Sequence, residues 1–468
     1  MSFFPLQKRS LPVCFLLPLA AVILFFGAAP VFAEFRLPEI FGENMVLQCG
    51  NDIPIWGWAE PGDSVSVIIN NRTPVPPAPP GMDYRLANPV QAYLSPVVDK
   101  SGRWTIQIKK LHSGGPYSIS VRSTKENKTI ELKNVFAGDV WLCSGQSNME
   151  WTVKQSAEFK ETMESADNPR LRLFHIAKAH NKVPQEQLKL VSSWRESSRE
   201  SVPQFSAVGY YFGSKLNVGV PIGLINASWG GTRIEPWIPP AGFQSVPALK
   251  KIADALALED PPYHKNTDPA TLYNAMIHPM LPFAIKGVIW YQGEANLGDG
   301  MMYAEKMKAL IQGWRTVFNN PDLGFYYVQL APFHYGGDPM RLPEIWEAQS
   351  SIEKEIPKTG QVVINDLVTN IKDIHPTQKK PVGERLASLV LQRYYNSHRQ
   401  YPEAGSPVFD KLQIDGSTAV VYFKNAEELK TRDGKSPDWF EIAGEDGHYH
   451  KAEAVIDGIT IKLTSAEV

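Results

Sequence analysis

Ser147 stands in Gly145-Gln146-Ser147-Asn148, between the apolar run Val140-Trp141-Leu142-Cys143 and the stretch Met149-Glu150-Trp151-Thr152-Val153-Lys154. A serine where a strand hands over to a helix is placed to act as a nucleophile. The turn lifts its hydroxyl off the sheet end, and the unpaired N–H groups of the first helical turn face a developing oxyanion. The same residues also fit a plain helix start, with Ser147 as N-cap and Glu150 completing a capping box. Three further stretches bear on the choice. Asn226-Ala227-Ser228-Trp229-Gly230-Gly231-Thr232-Arg233 follows a second apolar run. Its paired glycines either let backbone N–H groups approach a ligand or simply make a tight turn. Trp290-Tyr291-Gln292-Gly293-Glu294-Ala295-Asn296 sets amides and carboxylates after a third run. A side-chain amide is a good neutral donor to an oxyanion, although polar loop residues also satisfy one another. Asp373-Ile374-His375-Pro376 precedes the last helical stretch. An imidazole is the natural base for a serine hydroxyl when a carboxylate fixes its tautomer; a lone histidine before proline is more often a satisfied loop residue. A serine, two donor loops and an Asp/His pair, each after an apolar run, together point to acyl transfer.

The elements that must position these groups follow from periodicity. From 135 to about 395, apolar runs at 140–143, 222–227, 285–291, 324–330 and 362–364 alternate with helical spacing at 205–216, 303–318, 344–356 and 383–394. Met307, Ile311, Trp314 and Phe318 form the stripe of a helix lying on a sheet. Buried strands alternating with amphipathic helices predict a three-layer α/β/α unit with a mostly parallel sheet, whose ligands bind beyond the carboxyl ends of the strands. Before it, residues 34–134 alternate in Ile53-Pro54-Ile55-Trp56-Gly57-Trp58, Arg103-Trp104-Thr105-Ile106-Gln107-Ile108 and similar runs, which predicts a β-sandwich-like domain with a surface excursion at the Pro-rich 74–80. After it, strand-like alternation at 418–423, 439–442 and 459–463 predicts a small C-terminal β module over 399–468.

Bulk properties narrow the partners. The 468 residues suggest several domains, at roughly 100–200 residues each. Lys plus Arg at 47 against Asp plus Glu at 49 leave no overall field to draw nucleic acid or an anionic membrane. Residues 1–33 read as a secretory signal peptide: Lys8 and Arg9 precede the apolar stretch 11–26, and Val31-Phe32-Ala33 places small residues where the peptidase cuts. The mature chain is then expected to be secreted or periplasmic, without stable membrane association; a retained anchor is the rival reading. Only Cys49 and Cys143 would remain, too few for a disulfide framework. No Cys or His spacing resembles a zinc site, so no metal is expected, and His448 and His450 read as surface histidines.

The blocks Gly145-Gln146-Ser147-Asn148-Met149, Ser228-Trp229-Gly230-Gly231-Thr232, Trp290-Tyr291-Gln292-Gly293-Glu294-Ala295-Asn296 and Asp373-Ile374-His375-Pro376 resemble, in order, those of the sialate O-acetylesterase family. That family belongs to the SGNH (GDSL-like) hydrolases, and the likeness spans the whole α/β region. It implies an SGNH-hydrolase-like catalytic domain over 135–398 and a secreted serine esterase that removes O-acetyl groups from carbohydrates, with no metal or organic cofactor. By this resemblance Ser147 is the nucleophile and His375 the general base and acid, and the oxyanion hole comprises the Ser147 N–H, an N–H of Gly230 or Gly231, and the Gln292 amide. The superfamily spaces its last block Asp-x-x-His, but Lys372 holds that Asp position here. The orienting group is therefore Asp373, Asp366 or a backbone carbonyl, or is absent in a Ser/His dyad. Trp229, Arg233, Glu235, Tyr291, Glu294 and Asn296 are the substrate-binding candidates, with Arg233 the cation for a sialate carboxylate; Trp237 and Trp290 are further aromatics. The expected partner is an O-acetylated carbohydrate. Two competing readings are an esterase for acetyl xylan or another polysaccharide, and an inactive carbohydrate-binding protein. Because family members continue past the last β unit, that module is open to being incomplete; oligomeric state is not legible.

Overall fold

The computed structural model describes residues 1, 34–71, 90–216, 218–395, 407–424, 426–431 and 433–468. The expected signal segment beyond Met1 and the Pro-rich excursion lie outside the described residues. Alternation does what it predicts in the N-terminal region, where Trp104, Ile106 and Ile108 are buried and Arg103, Thr105 and Gln107 exposed. The strands here are β1 (Val46–Gln48), β2 (Ile53–Trp58), β3 (Val65–Asn71), β4 (Gln91–Leu94), β5 (Arg103–Ile108), β6 (Gly114–Ser123) and β7 (Thr129–Gly145). β2 pairs antiparallel with β5, β3 with both β4 and β6, and β6 with β7, while β1 lies parallel on β7. The layers share one core that includes Ile55, Val67, Ile106 and Ile119.

β7 does not stop at the expected domain boundary. Its 17 residues run from the N-terminal sheet, where Thr129 faces Arg122, into the central sheet, where Gly145 faces both Ser228 and Tyr291. The boundary at 134/135 thus falls inside one strand. The central sheet adds β8 (Asn168–Ile176), β9 (Leu190–Ser197), β10 (Ile222–Ser228), β11 (Gly287–Tyr291), β12 (Gly324–Val328) and β13 (Thr359–Val362). Their order is β13-β12-β11-β7-β10-β8-β9, parallel except for the antiparallel edge strand β9. β8 and β9 are not among the runs expected from apolarity. In β8 the leucines alternate with Arg170 and Arg172, and the buried Arg172 is held by Asn44, Asn134 and Glu196, which no local pattern announces.

Along β7, Val140 and Leu142 face one helical layer while Trp141 and Cys143 face the other. With α1 (Ser147–Glu150) beginning just past the sheet, the second layer is α2 (Ala207–Lys215) and the last helix. The first layer is α3 (Met302–Val317) and α4 (Arg341–Glu355). Met307, Ile311 and Trp314 are fully buried, and Phe318, just past the helix end, is partly buried against the same core. α5 (Lys379–Arg393) is that last helix. The three-layer α/β/α arrangement with a mostly parallel sheet is therefore present. Beyond it, β14 (Val408–Asp415), β15 (Thr418–Lys424), β18 (Glu453–Asp457) and β19 (Thr460–Thr464) form a four-stranded sheet, and β16 (Glu441–Ala443) pairs with β17 (Tyr449–Lys451). Its core is small, built on Ala419, Ala452, Ala454, Ile461 and Leu463. Among the described residues no helix is long and apolar enough to cross a membrane.

Candidate active site

The carboxyl ends of β7, β10 and β11 are stitched together: the Gln146 N–H donates to the Tyr291 carbonyl at 3.0 Å and the Trp229 N–H to the Gly145 carbonyl at 3.0 Å. Ser147 is the first residue of α1, with Gln146 at the N-cap position and no side-chain cap. The capping-box reading is thereby corrected. Glu150 reaches across to the Gly230 N–H at 2.6 Å and pairs with Lys178 at 2.5 Å, rather than turning back on its own helix. Freed from capping, the Ser147 hydroxyl lies 2.9 Å from His375 Nε2, a residue 228 positions away in the chain.

His375 is held by its surroundings more than by a carboxylate. Its ring stacks on Trp151, with centroids 5.0 Å apart and planes 22° from parallel. Asp373 accepts the His375 main-chain N–H at 2.9 Å, which fixes the loop, and among the described residues the imidazole Nδ1 has no hydrogen-bond partner. Asp366 pairs with both terminal nitrogens of Arg385, at 2.6 and 2.5 Å, and so faces away from this role. The residue before the histidine is clamped as well: Asn148 Nδ2 donates to the Ile374 carbonyl at 3.0 Å and to Glu294 Oε1 at 2.5 Å, while Lys379 Nζ donates to Asn148 Oδ1 at 2.5 Å. Burial and the Lys379 cation hold the His375 pKa below its ordinary value, against an upward pull from Asp373. The neutral ring, able to accept a proton at Nε2, is thus the favoured state near pH 7.

The groups expected to donate to an oxyanion differ in how far they are already engaged. Gly231 has φ +76°, a left-handed conformation open to glycine, and a Cβ on Gly230 would stand 3.1 Å from Ser147 Cβ. The turn therefore passes close against the nucleophile. Its Gly230 N–H is engaged by Glu150, whereas the Gly231 N–H has no acceptor among the described residues. Gln292 is completely buried, its Nε2 facing Asn296 Oδ1 at 2.8 Å, Gln146 Oε1 at 3.1 Å and the Thr232 carbonyl at 3.2 Å. With its Oε1 also taken by the Tyr303 hydroxyl at 2.8 Å, this amide has no N–H left for an oxyanion. Gln146 contrasts with it. Its Oε1 accepts from Gln292 Nε2 and from the main-chain N–H groups of Gly293 and Ala295, which settles which end is oxygen. Its Nε2 has no partner among the described residues.

The substrate-binding candidates separate into two kinds. Arg233 donates to Asp299 at 2.8 and 3.0 Å, to Glu235 and to the Ala295 carbonyl; Lys306 bonds both Glu235 and Asp299, and Asn296 bonds them too. Burial alone would raise the Glu235 pKa, but Lys306, Arg233 and Asn296 outweigh it and hold the carboxylate ionised. Arg233, Glu235 and Asn296 thus brace one another and Asp299, with the Arg233 side chain still 36% exposed. Glu294 is buried against Asn148, and Tyr291 is buried within β11 with its hydroxyl unpartnered among the described residues. Trp237 and Trp290 are core residues. Of the four aromatic candidates for sugar contact, Trp229 is the one that is part-exposed, its ring 6.1 Å from that of His180. Asn148, Trp151 and Lys379 were given no role by sequence reasoning. Asn148 and Trp151 carried one signal, their place beside Ser147 in the same motif; Lys379 carried none.

Residues 137–392 match the family model described as carbohydrate esterase, sialic acid-specific acetylesterase. The human sialate O-acetylesterase is 30% identical over 386 residues, covering 75% of this chain and 69% of that protein. The rat sialate O-acetylesterase is 30% identical over 404 residues, covering 75% and 72%. A crystal structure of a carbohydrate acetylesterase from Xanthomonas citri superposes with a TM-score of 0.79 at 33% identity, covering 92% of this chain and 91% of that one. The chain belongs to the sialic acid-specific acetylesterase family of carbohydrate esterases and is a sialate O-acetylesterase-like carbohydrate acetylesterase.

Proposed function

We propose that the chain hydrolyses carbohydrate O-acetyl esters through an acyl-enzyme on Ser147, with His375 as base and acid. The 2.9 Å contact between Ser147 Oγ and His375 Nε2 carries this reading. His375 Nε2 takes the hydroxyl proton as Oγ bonds the acetyl carbon. The tetrahedral oxyanion then collapses, the C–O bond to the sugar breaks, and His375 returns the proton to the leaving oxygen. Water, deprotonated by the same nitrogen, attacks the acetyl-serine; acetate leaves and Ser147 regains its proton. The donors for the oxyanion are the Ser147 N–H, at a helix position without an intrahelical acceptor, the Gly231 N–H and Gln146 Nε2 in the place first given to Gln292. Asp373 supports the ring through the main chain of its loop. Covalent labelling by a fluorophosphonate tests the reading: label on Ser147, lost in Ser147→Ala, is expected, and a folded protein that never labels overturns it.

The substrate is an O-acetylated sugar. A neutral acetylated polysaccharide such as acetyl xylan is the second reading, and the commitment of Arg233 to Asp299 and Glu235 favours it, since that cation is already neutralised. Acetate release from O-acetylated sialic acid against acetylated xylan decides between them. Export through residues 1–33 is part of the proposal, checked by N-terminal sequencing of the mature protein, which is expected to begin at Glu34.

A further inference from the structure

Two adjacent lysines open α5 and go opposite ways. Lys380 pairs with Glu161 at 2.7 Å on the surface, while Lys379 is 1% exposed. A buried ammonium is costly, and a helix N-terminus adds to the cost because the helix dipole disfavours cations there. Burial pushes the Lys379 pKa down to about 7. No ion pair within 4.0 Å offsets this among the described residues. What Lys379 touches is the support of the histidine. Its Nζ holds Asn148 Oδ1 at 2.5 Å, which leaves the Asn148 amide nitrogen to grip the Ile374 carbonyl at 3.0 Å. The same Nζ lies 5.8 Å from the Trp151 ring centroid, and that ring stacks on His375.

We propose that Lys379 is a positioning residue for His375: through Asn148 it locks the Ile374 carbonyl, and against Trp151 it backs the stacked imidazole, so that Nε2 meets Ser147 Oγ with no carboxylate on the far ring nitrogen. This supplies the support that Lys372, standing where the Asp-x-x-His spacing puts an acid, does not give. The proposal rests on the Ser147/His375 reading. The charged groups facing His375 are Lys379 and Asp373, and those facing Lys379 are Glu294, Asp373 and Glu158.

The test is turnover of 4-nitrophenyl acetate by Lys379→Met across the acid limb of the pH profile, with the melting temperature measured alongside. Loss of aim at Ser147 is expected to lower kcat about 10²-fold, with KM moved by about twofold or less. The acid limb shifts to higher pH, because the cation that depresses the imidazole is gone. A folded variant with wild-type kcat and an unmoved acid limb overturns the proposal, whatever its melting temperature. Should Lys379→Met not fold, Asn148→Ser keeps an oxygen for Lys379 and removes the grip on Ile374; a similar kcat loss supports the clamp, and wild-type kcat overturns it. Ser147→Ala and His375→Ala separate the two levels. Activity in either defeats the underlying reading, whereas their inactivity beside an unaffected Lys379→Met defeats the positioning role alone.

Discussion

Two polar clusters gather residues from the loops and helix starts that follow the central strands, and they use their hydrogen-bonding groups in opposite ways. In one, Arg233, Glu235, Asn296, Asp299 and Lys306 bond one another, two cations against two carboxylates. In the other, Ser147 and His375 share one contact, and Gly231 N–H and Gln146 Nε2 keep no partner among the described residues. A network whose members satisfy one another rigidifies its loops. A site that is to bind a transient charge must hold donors in reserve. Place in the chain does not separate the two, since Gly231 and Arg233 share one loop; completeness of pairing does.

The sharpest break of this contrast is at the reserve cluster. Ser147→Ala and His375→Ala are each expected to lower kcat by about 10⁴-fold or more with little change in melting temperature; an equal loss of stability would place both residues in the structural class. Lys306→Met tests the complete cluster, where removing one member of a buried ion network is expected to cost about 3–5 kcal/mol of stability by denaturant titration while KM stays near wild type. A large KM change for sialic acid esters alone would return the Arg233 group to substrate binding. The two glutamines sharpen the comparison within one motif pair. Gln146→Ala is expected to lower kcat about 10²–10³-fold as an oxyanion donor does, whereas Gln292→Ala removes the buried bonds of its amide to Gln146 Oε1, Asn296 Oδ1, the Thr232 carbonyl and the Tyr303 hydroxyl and costs about 1–3 kcal/mol of stability. The reverse ranking in kcat sinks the reassignment. The smallest effect is in pH. Catalysis needs the imidazole neutral, and its pKa is depressed by burial and Lys379. Activity therefore persists below the ordinary histidine value of about 6.5 and is lost only as pH falls further. An acid limb in kcat/KM centred above that value would contradict the site's electrostatics.

Much of this was legible in the sequence, for identifiable reasons. The Ser147 and His375 blocks carry local signatures, and strand ends in a parallel sheet converge by topology, so their meeting follows from order along the chain. The sheet and helices were legible because burial on both faces leaves unbroken apolar runs and a helical stripe such as Met307, Ile311 and Trp314. What failed was anything decided by partners far away. The alternating Leu171 and Leu173 of β8 are interleaved with arginines, one of which is buried only because Asn44, Asn134 and Glu196 receive it. Lys379 and Lys380 are indistinguishable as letters, and only packing puts one of them inside. Gln292 and Gln146 likewise differ in which acceptors reach them, and spacing does not record that.

The long strand β7 gives the nucleophile a root in two layers at once. The layers are further joined at their seam: Trp194 Nε1 bonds the Ile40 carbonyl at 2.8 Å, and the Phe41 ring meets Phe283 at 5.7 Å. Heat cannot peel off the N-terminal strands without tugging the very rod on which the serine is mounted, so both layers are expected to melt in a single cooperative step. Nor is the family segment that starts at residue 137 expected to stand as a free enzyme. The cut would strip Trp194 and Phe283 of their cover and leave greasy surface where a wall had been, and the N-terminal strands are on this account a foundation for the chemistry rather than an ornament beside it.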